Sequence, residues 1–260
     1  FKCTTDFIFS NAKNKVTELK SDANVMSMIS GSGFALEGNP VRSLYSLNFQ
    51  GLNKEGLPTF INEKGELTVT DINFQERENK SHLVYEGSTD PTITGSFGNI
   101  FSYKGFKLNV FMTYSFGNVI RLDPVFHNAY SDLDATPREF KNRWTVAGDE
   151  KITTVPVIAD LRQNTMNSYL NKAYNAYNYS TERIAKGDFI RMKEISVTYE
   201  FPKTMVSKLS LSNLSLKIQG TNLFLLYADK KLNGQDPEFF NSGGVAVPVP
   251  KQFTLTLRLG

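Results

Sequence analysis

The sequence predicts an all-β fold of antiparallel strands, the pattern of a transmembrane β-barrel segment with long extracellular loops. Three observations predict it. Apolar and polar residues alternate with period two over several stretches, which places them on opposite faces of a strand. The composition is rich in aromatics, 20 Phe and 11 Tyr against one Trp, and aromatic side chains suit a pleated surface. Some connections are very short and others long and polar, the asymmetry of an outer-membrane barrel rather than of a soluble sandwich.

Long polar connections are expected from Asn11 to Pro40 and from Gly51 to Pro91. Ile93 to Tyr103 reads as a strand, closed by a tight hairpin turn at Lys104-Gly105. In the next strand Phe106, Leu108, Val110, Met112, Tyr114 and Phe116 share one face. Lys107, Asn109, Thr113 and Ser115 share the other, with Phe111 the exception. Its about 11 residues match the length a tilted strand needs to cross a bilayer. The longest connection follows, Asp123 to Asp188, with an Asn/Tyr-rich part at Tyr169 to Tyr179 and a short helix expected over Thr165 to Tyr174. Phe189 to Phe201 carries Ile195, Val197, Tyr199 and Phe201 on one face, with Arg191 and Lys193 near its start. Leu214, Leu216 and Ile218 alternate with Ser215, Lys217 and Gln219. The last strand sets Phe253, Leu255, Leu257 and Leu259 against Thr254, Thr256 and Arg258. Prolines stay at strand ends, Pro202 after one strand and Pro248 and Pro250 before the last.

A mean hydropathy of −0.30 and the lack of a long apolar run exclude a transmembrane helix but not a barrel, whose strands alternate. The net charge of +3 is too balanced to imply nucleic acid. Lone Cys3 forms no internal disulfide. Phe1-Lys2-Cys3-Thr4 has no basic-then-apolar leader, so the chain is expected to be cytosolic or to start inside a longer sequence.

No catalytic, cofactor or metal site is expected. His82 and His127 lie in loop-like regions, are expected to be exposed, and make no zinc spacing or serine triad. Asp132-Leu133-Asp134 alternates carboxylates but lacks the rest of a calcium loop, so it reads as solvated charge. Ser30-Gly31-Ser32-Gly33 has no following Lys and reads as a flexible loop. Asp149 and Glu150 are adjacent and would point apart on a strand, unlike a glycosidase pair. Arg138, Arg143 and Trp144 are the candidates for substrate or partner contact, because an aromatic face and fixed donors suit a sugar or peptide; ordinary loop packing is the alternative for each. Tyr103, Tyr114, Phe116, Tyr199, Phe201, Phe224 and Tyr227 suit an interfacial girdle or a sandwich core, and the long loops favour the girdle. The apolar series Phe106 to Phe116 and Phe253 to Leu259 would face lipid.

Several motifs then carry a resemblance. Gly187 to Tyr199 has an acidic residue before a Phe-aliphatic-Arg-aliphatic strand, ending in Tyr199-Glu200-Phe201-Pro202. Thr221-Asn222-Leu223-Phe224, Asp236-Pro237-Glu238 and Val247-Pro248-Val249-Pro250 follow in order. Upstream stand Glu37-Gly38-Asn39-Pro40, Tyr85-Glu86-Gly87, Gly95-Ser96-Phe97-Gly98-Asn99, Tyr103-Lys104-Gly105-Phe106, and Arg143-Trp144 with Gly148-Asp149 and Val155-Pro156. This set resembles the C-terminal part of SusC/RagA-like TonB-dependent outer-membrane transporters, most firmly from Tyr85 onward. The resemblance implies about seven strands of a barrel of about 22, whose plug domain and N-terminal strands lie outside this chain. It implies residence in the outer membrane of a Gram-negative bacterium. The implied partners are outer-membrane lipid, the remainder of the same barrel, TonB and a SusD-like surface lipoprotein. Oligosaccharides or peptides are the implied substrates. An aromatic is expected just past Gly260, where members of the family end.

Two other readings compete. A secreted β-sandwich carbohydrate-binding module would show turn signals roughly every 8–12 residues, which the stretch from Asp123 to Asp188 contradicts. A glycoside hydrolase would need two carboxylates facing one sugar bond.

Overall fold

The computed structural model describes residues 1–126, 137–240 and 250–260. Two compact units are present. The first comprises Phe1–Lys13, Pro91–Asn118 and Lys186–Gly260, the second Asn14–Asp90 and Val119–Ala185. In chain order the strands are β1 (Lys2–Asn11), β2 (Ser43–Leu47), β3 (Phe49–Leu52), β4 (Pro58–Ile61), β5 (Leu67–Thr68), β6 (Leu83–Ser88), β7 (Ile93–Tyr103), β8 (Phe106–Phe116), β9 (Val119–Arg121), β10 (Ile184–Lys186), β11 (Phe189–Glu200), β12 (Leu214–Ala228) and β13 (Gln252–Leu259). The α-helices are α1 (Val25–Ile29), α2 (Leu161–Met166), α3 (Leu170–Asn178) and α4 (Lys203–Val206).

The first unit is one antiparallel sheet in the order β1-β7-β8-β11-β12-β13. The expected hairpin joins β7 to β8. Lys104 and Gly105 take φ values of 45° and 83°, the left-handed pair that a two-residue turn needs to match strand twist. Cross-strand partners point to the same face, so the alternation seen in single strands becomes two faces of the whole sheet. Phe106, Tyr199, Leu216 and Leu257 are successive partners on one face. Asn109, Ser196, Gln219 and Thr254 are successive partners on the other. The apolar face is left open: Phe106, Leu108, Phe253, Leu255, Leu257 and Leu259 are all exposed, while Val110, Met112, Tyr114 and Phe116 are half-buried.

The expectation of an all-β transmembrane barrel segment is overturned. Among the described residues none of the sheets closes on itself, and β1 and β13 are the edges of the largest one. A barrel needs every strand flanked on both sides, with tilt and stagger that bring the last strand to the first. The stretches expected to be long loops fold instead into the second unit, with helices and three small sheets, so the chain mixes α and β structure. The remainder of a common barrel therefore does not stand as a partner. No helix among the described residues is long and apolar enough to cross a membrane.

The second unit has its own core. Asn24 caps α1 by accepting from the Ser27 N–H at 2.8 Å. The helix buries Val25, Met28 and Ile29 against Tyr45 and Leu47 of β2, Phe60 of β4, Ile72, Val125, Phe126, Phe140, Val155 and Tyr177 of α3. Buried Asn178 closes α3 against the chain beside it. Its Oδ1 accepts from the N–H of Val125 and Phe126, and its Nδ2 donates to the Phe126 carbonyl, which satisfies buried backbone that no sheet serves. Burial pushes the Tyr177 hydroxyl well above the usual tyrosine range. The helix expected over Thr165 to Tyr174 is two helices, α2 and α3, separated where Tyr169 takes a φ of 71°.

Candidate functional site

Arg138, Arg143 and Trp144 lie in the second unit around a short 3-10 helix, Arg138–Asn142. Phe140 anchors that helix in the core, leaving Arg138 exposed. The Arg143 guanidinium sits 5.5 Å over the Phe140 ring, and its Nη1 donates to the Phe140 carbonyl at 3.3 Å. Trp144 follows half-buried. Its N–H donates to the Val155 carbonyl at 2.9 Å and its indole Nε1 to Glu150 at 3.2 Å. The structure thus brings Arg143 and Trp144 onto one anchored turn, with Arg138 exposed at the start of the 3-10 helix before it.

The indole rests on a glycine. Gly56 has a φ of +76°, and a Cβ there would fall 2.5 Å from the Trp144 ring. Asn53 builds the tight turn around it, its Oδ1 accepting from Glu55 and Leu57 N–H groups at 2.9 Å. Val157 donates to the Gly56 carbonyl and Gln163 Nε2 to the Glu55 carbonyl. Asp160 and Gln163 form a reciprocal capping box on α2. Asp149 and Glu150, expected on a strand, lie in a 3-10 turn, Asp149–Lys151. Asp149 accepts from the Thr145 and Val146 N–H groups and the Thr145 hydroxyl, which hold its carboxyl below the usual range. Backbone N–H bonds and the Trp144 indole hold the Glu150 carboxyl low in the same way.

Val146 and Ile152 beside this turn are exposed, and so are Leu161, Met166 and Tyr169 further along the same connection. The arrangement offers an aromatic edge, apolar side chains and positioned carboxylates, which suits noncovalent contact. Sequence reading missed these apolar residues because nothing in their spacing separates an exposed Leu from a buried one.

Other clusters also escaped the sequence. In the first unit Arg191 of β11 is buried against Asp236 in an ion pair, and its Nε lies 3.2 Å from Glu238. The arginine motif and the Asp-Pro-Glu motif, far apart in the chain, are therefore one structural feature. On the polar face of the sheet Glu194 accepts from Asn109 and Ser196 at 3.0 Å, with Lys217 3.6 Å away. In the second unit Arg121 donates from Nη2 to the Tyr45 carbonyl at 2.6 Å; burial lowers its pKa to about 10 against the pull of Glu86. His82 is buried, contrary to the expectation of an exposed loop. Cys3 is free and exposed. His127, Asp132, Asp134 and Pro248 lie outside the described residues. Among the described residues no three His, Cys, Asp or Glu side chains are grouped to hold a metal ion.

No family model matches the chain. Two curated proteins of Formosa agariphila are similar to it. TonB-dependent receptor P3 is 25% identical over 254 residues, 92% of this chain and 23% of the receptor. TonB-dependent receptor P39 is 27% identical over 190 residues, 68% of this chain and 17% of the receptor. Among solved structures, the RagAB peptide importer in its open-open state superposes with a TM-score of 0.68 at 21% identity, over 99% of this chain and 26% of that chain. Its closed-closed state gives 0.66 at 20% identity, over 99% and 27%. The chain spans about a quarter or less of the length of these proteins. These matches are receptors and transporters rather than enzymes, in agreement with the expectation of no catalysis. The chain is similar in sequence to TonB-dependent receptors and in fold to part of the RagAB chain.

Proposed function

We propose that this chain is part of a TonB-dependent uptake protein of the SusC/RagA-like type, acting in an outer-membrane context on nutrient oligomers together with a SusD-like surface lipoprotein. The observation that carries the reading is agreement between independent comparisons: two TonB-dependent receptors by sequence, and RagAB by fold over 99% of the chain. The ordered motifs from Tyr85 onward point the same way. Peptides are favoured over oligosaccharides as cargo, because the structural relatives are peptide importers by name. The Arg143–Trp144 turn with its exposed apolar rim is the part of the second unit that would meet cargo or lipoprotein. A carbohydrate-binding sandwich finds no counterpart among these relatives.

The test is uptake. Cells lacking the gene should lose import of labelled oligopeptides, and deletion of TonB should cause the same loss. Unchanged uptake of both peptides and oligosaccharides in the deletion strain would overturn the reading. Loss of oligosaccharide import alone would keep transport and reassign the cargo.

A further inference from the structure

His82 is 5% exposed, and neither ring nitrogen has a hydrogen-bond partner. It closes the segment from Asn62 to His82, which runs from the end of β4 to the start of β6. That segment places Ile72 in the core, with Phe74 packed against it, and Leu83 next to His82 packs there too. The segment is held by hydrogen bonds within itself, among them Asn79 Nδ2 donating to the Glu63 carbonyl at 2.6 Å and Asn62 Oδ1 accepting from the Lys64 and Glu66 N–H groups.

Two carboxylates act electrostatically on His82, those of Glu63 and Glu76. They are not equivalent. Glu76 is occupied: its Oε1 accepts from the N–H groups of Arg77, Glu78 and Asn79, and its Oε2 from Asn73. Glu63 has a buried Oε2 with no partner. The neighbouring Lys64 is engaged by Asp71 at 3.2 Å.

We propose that His82 and Glu63 form an acid-operated latch on the 62–82 segment. At neutral pH the imidazole is uncharged and sits in the packing without a bond. Protonation adds a second N–H and a positive charge, which a buried site does not tolerate without a partner. The open acceptor for it is the Glu63 Oε2. Reaching that oxygen, or water, moves the ring out of its packed position and loosens the segment. The burial that desolvates the ring holds its pKa below the ordinary histidine value, with Glu63 and Glu76 pulling the other way. A base with a depressed folded pKa favours the packed state above the unfolded value and ceases to do so as pH falls through about 6.5 and below. The latch is independent of the transport reading, since it concerns only the second unit's own packing.

The test is hydrogen exchange in the full-length protein at pH 7.5 and 5.0, corrected for intrinsic rates, with peptides spanning residues 62–82. Protection there should drop about tenfold or more on acidification, while peptides of α3 stay unchanged. Glu63→Gln should move the loss to lower pH, because it removes the charge that favours the imidazolium. His82→Gln should abolish the pH response. If that variant does not fold, the His82 ring signal followed by NMR in a His127→Gln background reads the titration directly. Protection that is independent of pH, a midpoint unmoved by Glu63→Gln, or an imidazole titrating at its ordinary value would overturn the latch.

Discussion

Arg191 and Asp236 are paired in the first unit with side chains only 5% and 6% exposed. Their pairing ties β11 to the connection between β12 and β13. Asp236 also caps the short 3-10 helix Pro237–Phe239 by accepting from the Glu238 N–H, and the Arg191 guanidinium lies 5.5 Å from the Phe189 ring. Two desolvated charges are expensive apart and tolerable together, so removing one does more harm than removing both. Arg191→Met should destabilise the first unit by about 3–5 kcal/mol. The double variant Arg191→Met with Asp236→Asn should recover much of that loss. A denaturant unfolding series on wild type, both single variants and the double variant measures the coupling; additive effects would show that the charges do not depend on each other.

Tyr114 of β8 reaches across β7 and donates its hydroxyl to the Ile8 carbonyl of edge strand β1 at 2.8 Å. Gly95 lies beneath the ring, where a Cβ would stand 2.4 Å from that hydroxyl and 2.1 Å from the carbonyl. Tyr114→Phe should cost about 0.5–1.5 kcal/mol and raise amide exchange in β1 more than in β8. Gly95→Val should be worse, at about 1–3 kcal/mol, because neither the ring nor the backbone can yield without losing the pairing.

Gly56 combines a left-handed φ with direct contact to the Trp144 ring. Gly56→Ala should cost about 1–3 kcal/mol and shift the emission of Trp144, the chain's one tryptophan, to longer wavelength. Gly38 is left-handed too, but no atom lies within 4 Å of its Cβ position. Gly38→Ala should therefore leave the emission unchanged.

The turn at Thr145 to Glu150 should respond to acid in a different window from His82. The Asp149 and Glu150 carboxyls are held below their ordinary values of 3.8 and 4.5 by hydrogen bonds to their charged forms. A depressed carboxyl contributes stability that is present above its unfolded value and lost as pH falls through the folded one. Trp144 emission should therefore hold steady down to about pH 4.5 and change only below it. Glu150→Gln, which keeps an acceptor but no charge, should flatten that response.

Some elements were legible in the chain. β7 and β8 are legible because Phe106 to Phe116 alternates at every position but Phe111 and the Lys104-Gly105 turn before it has the composition of a two-residue hairpin. β1 is not, since Phe7-Ile8-Phe9 is a continuous apolar run whose strand character comes from pairing with Gly95 to Phe97. β12 runs past the expected Gln219 to Ala228, beyond left-handed Asn222 and register shifts that interrupt the alternation. Most of the second unit falls in the stretches expected to be long connections. Its elements are short, and its core is assembled from Val25, Tyr45, Phe60, Ile72, Val125, Val155 and Tyr177, which are scattered over most of the chain.

The candidate site divides along the same line. Arg143 and Trp144 were legible as an aromatic and a donor in a long connection. The Gly56 turn beneath the indole, the Arg191–Asp236 pair and the buried position of His82 were not, because each depends on residues far away in the chain.

By itself the sequence determined the two-faced strands and the order of the motifs, because period two and turn chemistry are local. The tertiary structure decided whether the sheet closes, whether the long connections pack, and which charges are buried. Those outcomes depend on contacts between distant residues, where burial and pairing outweigh local preference.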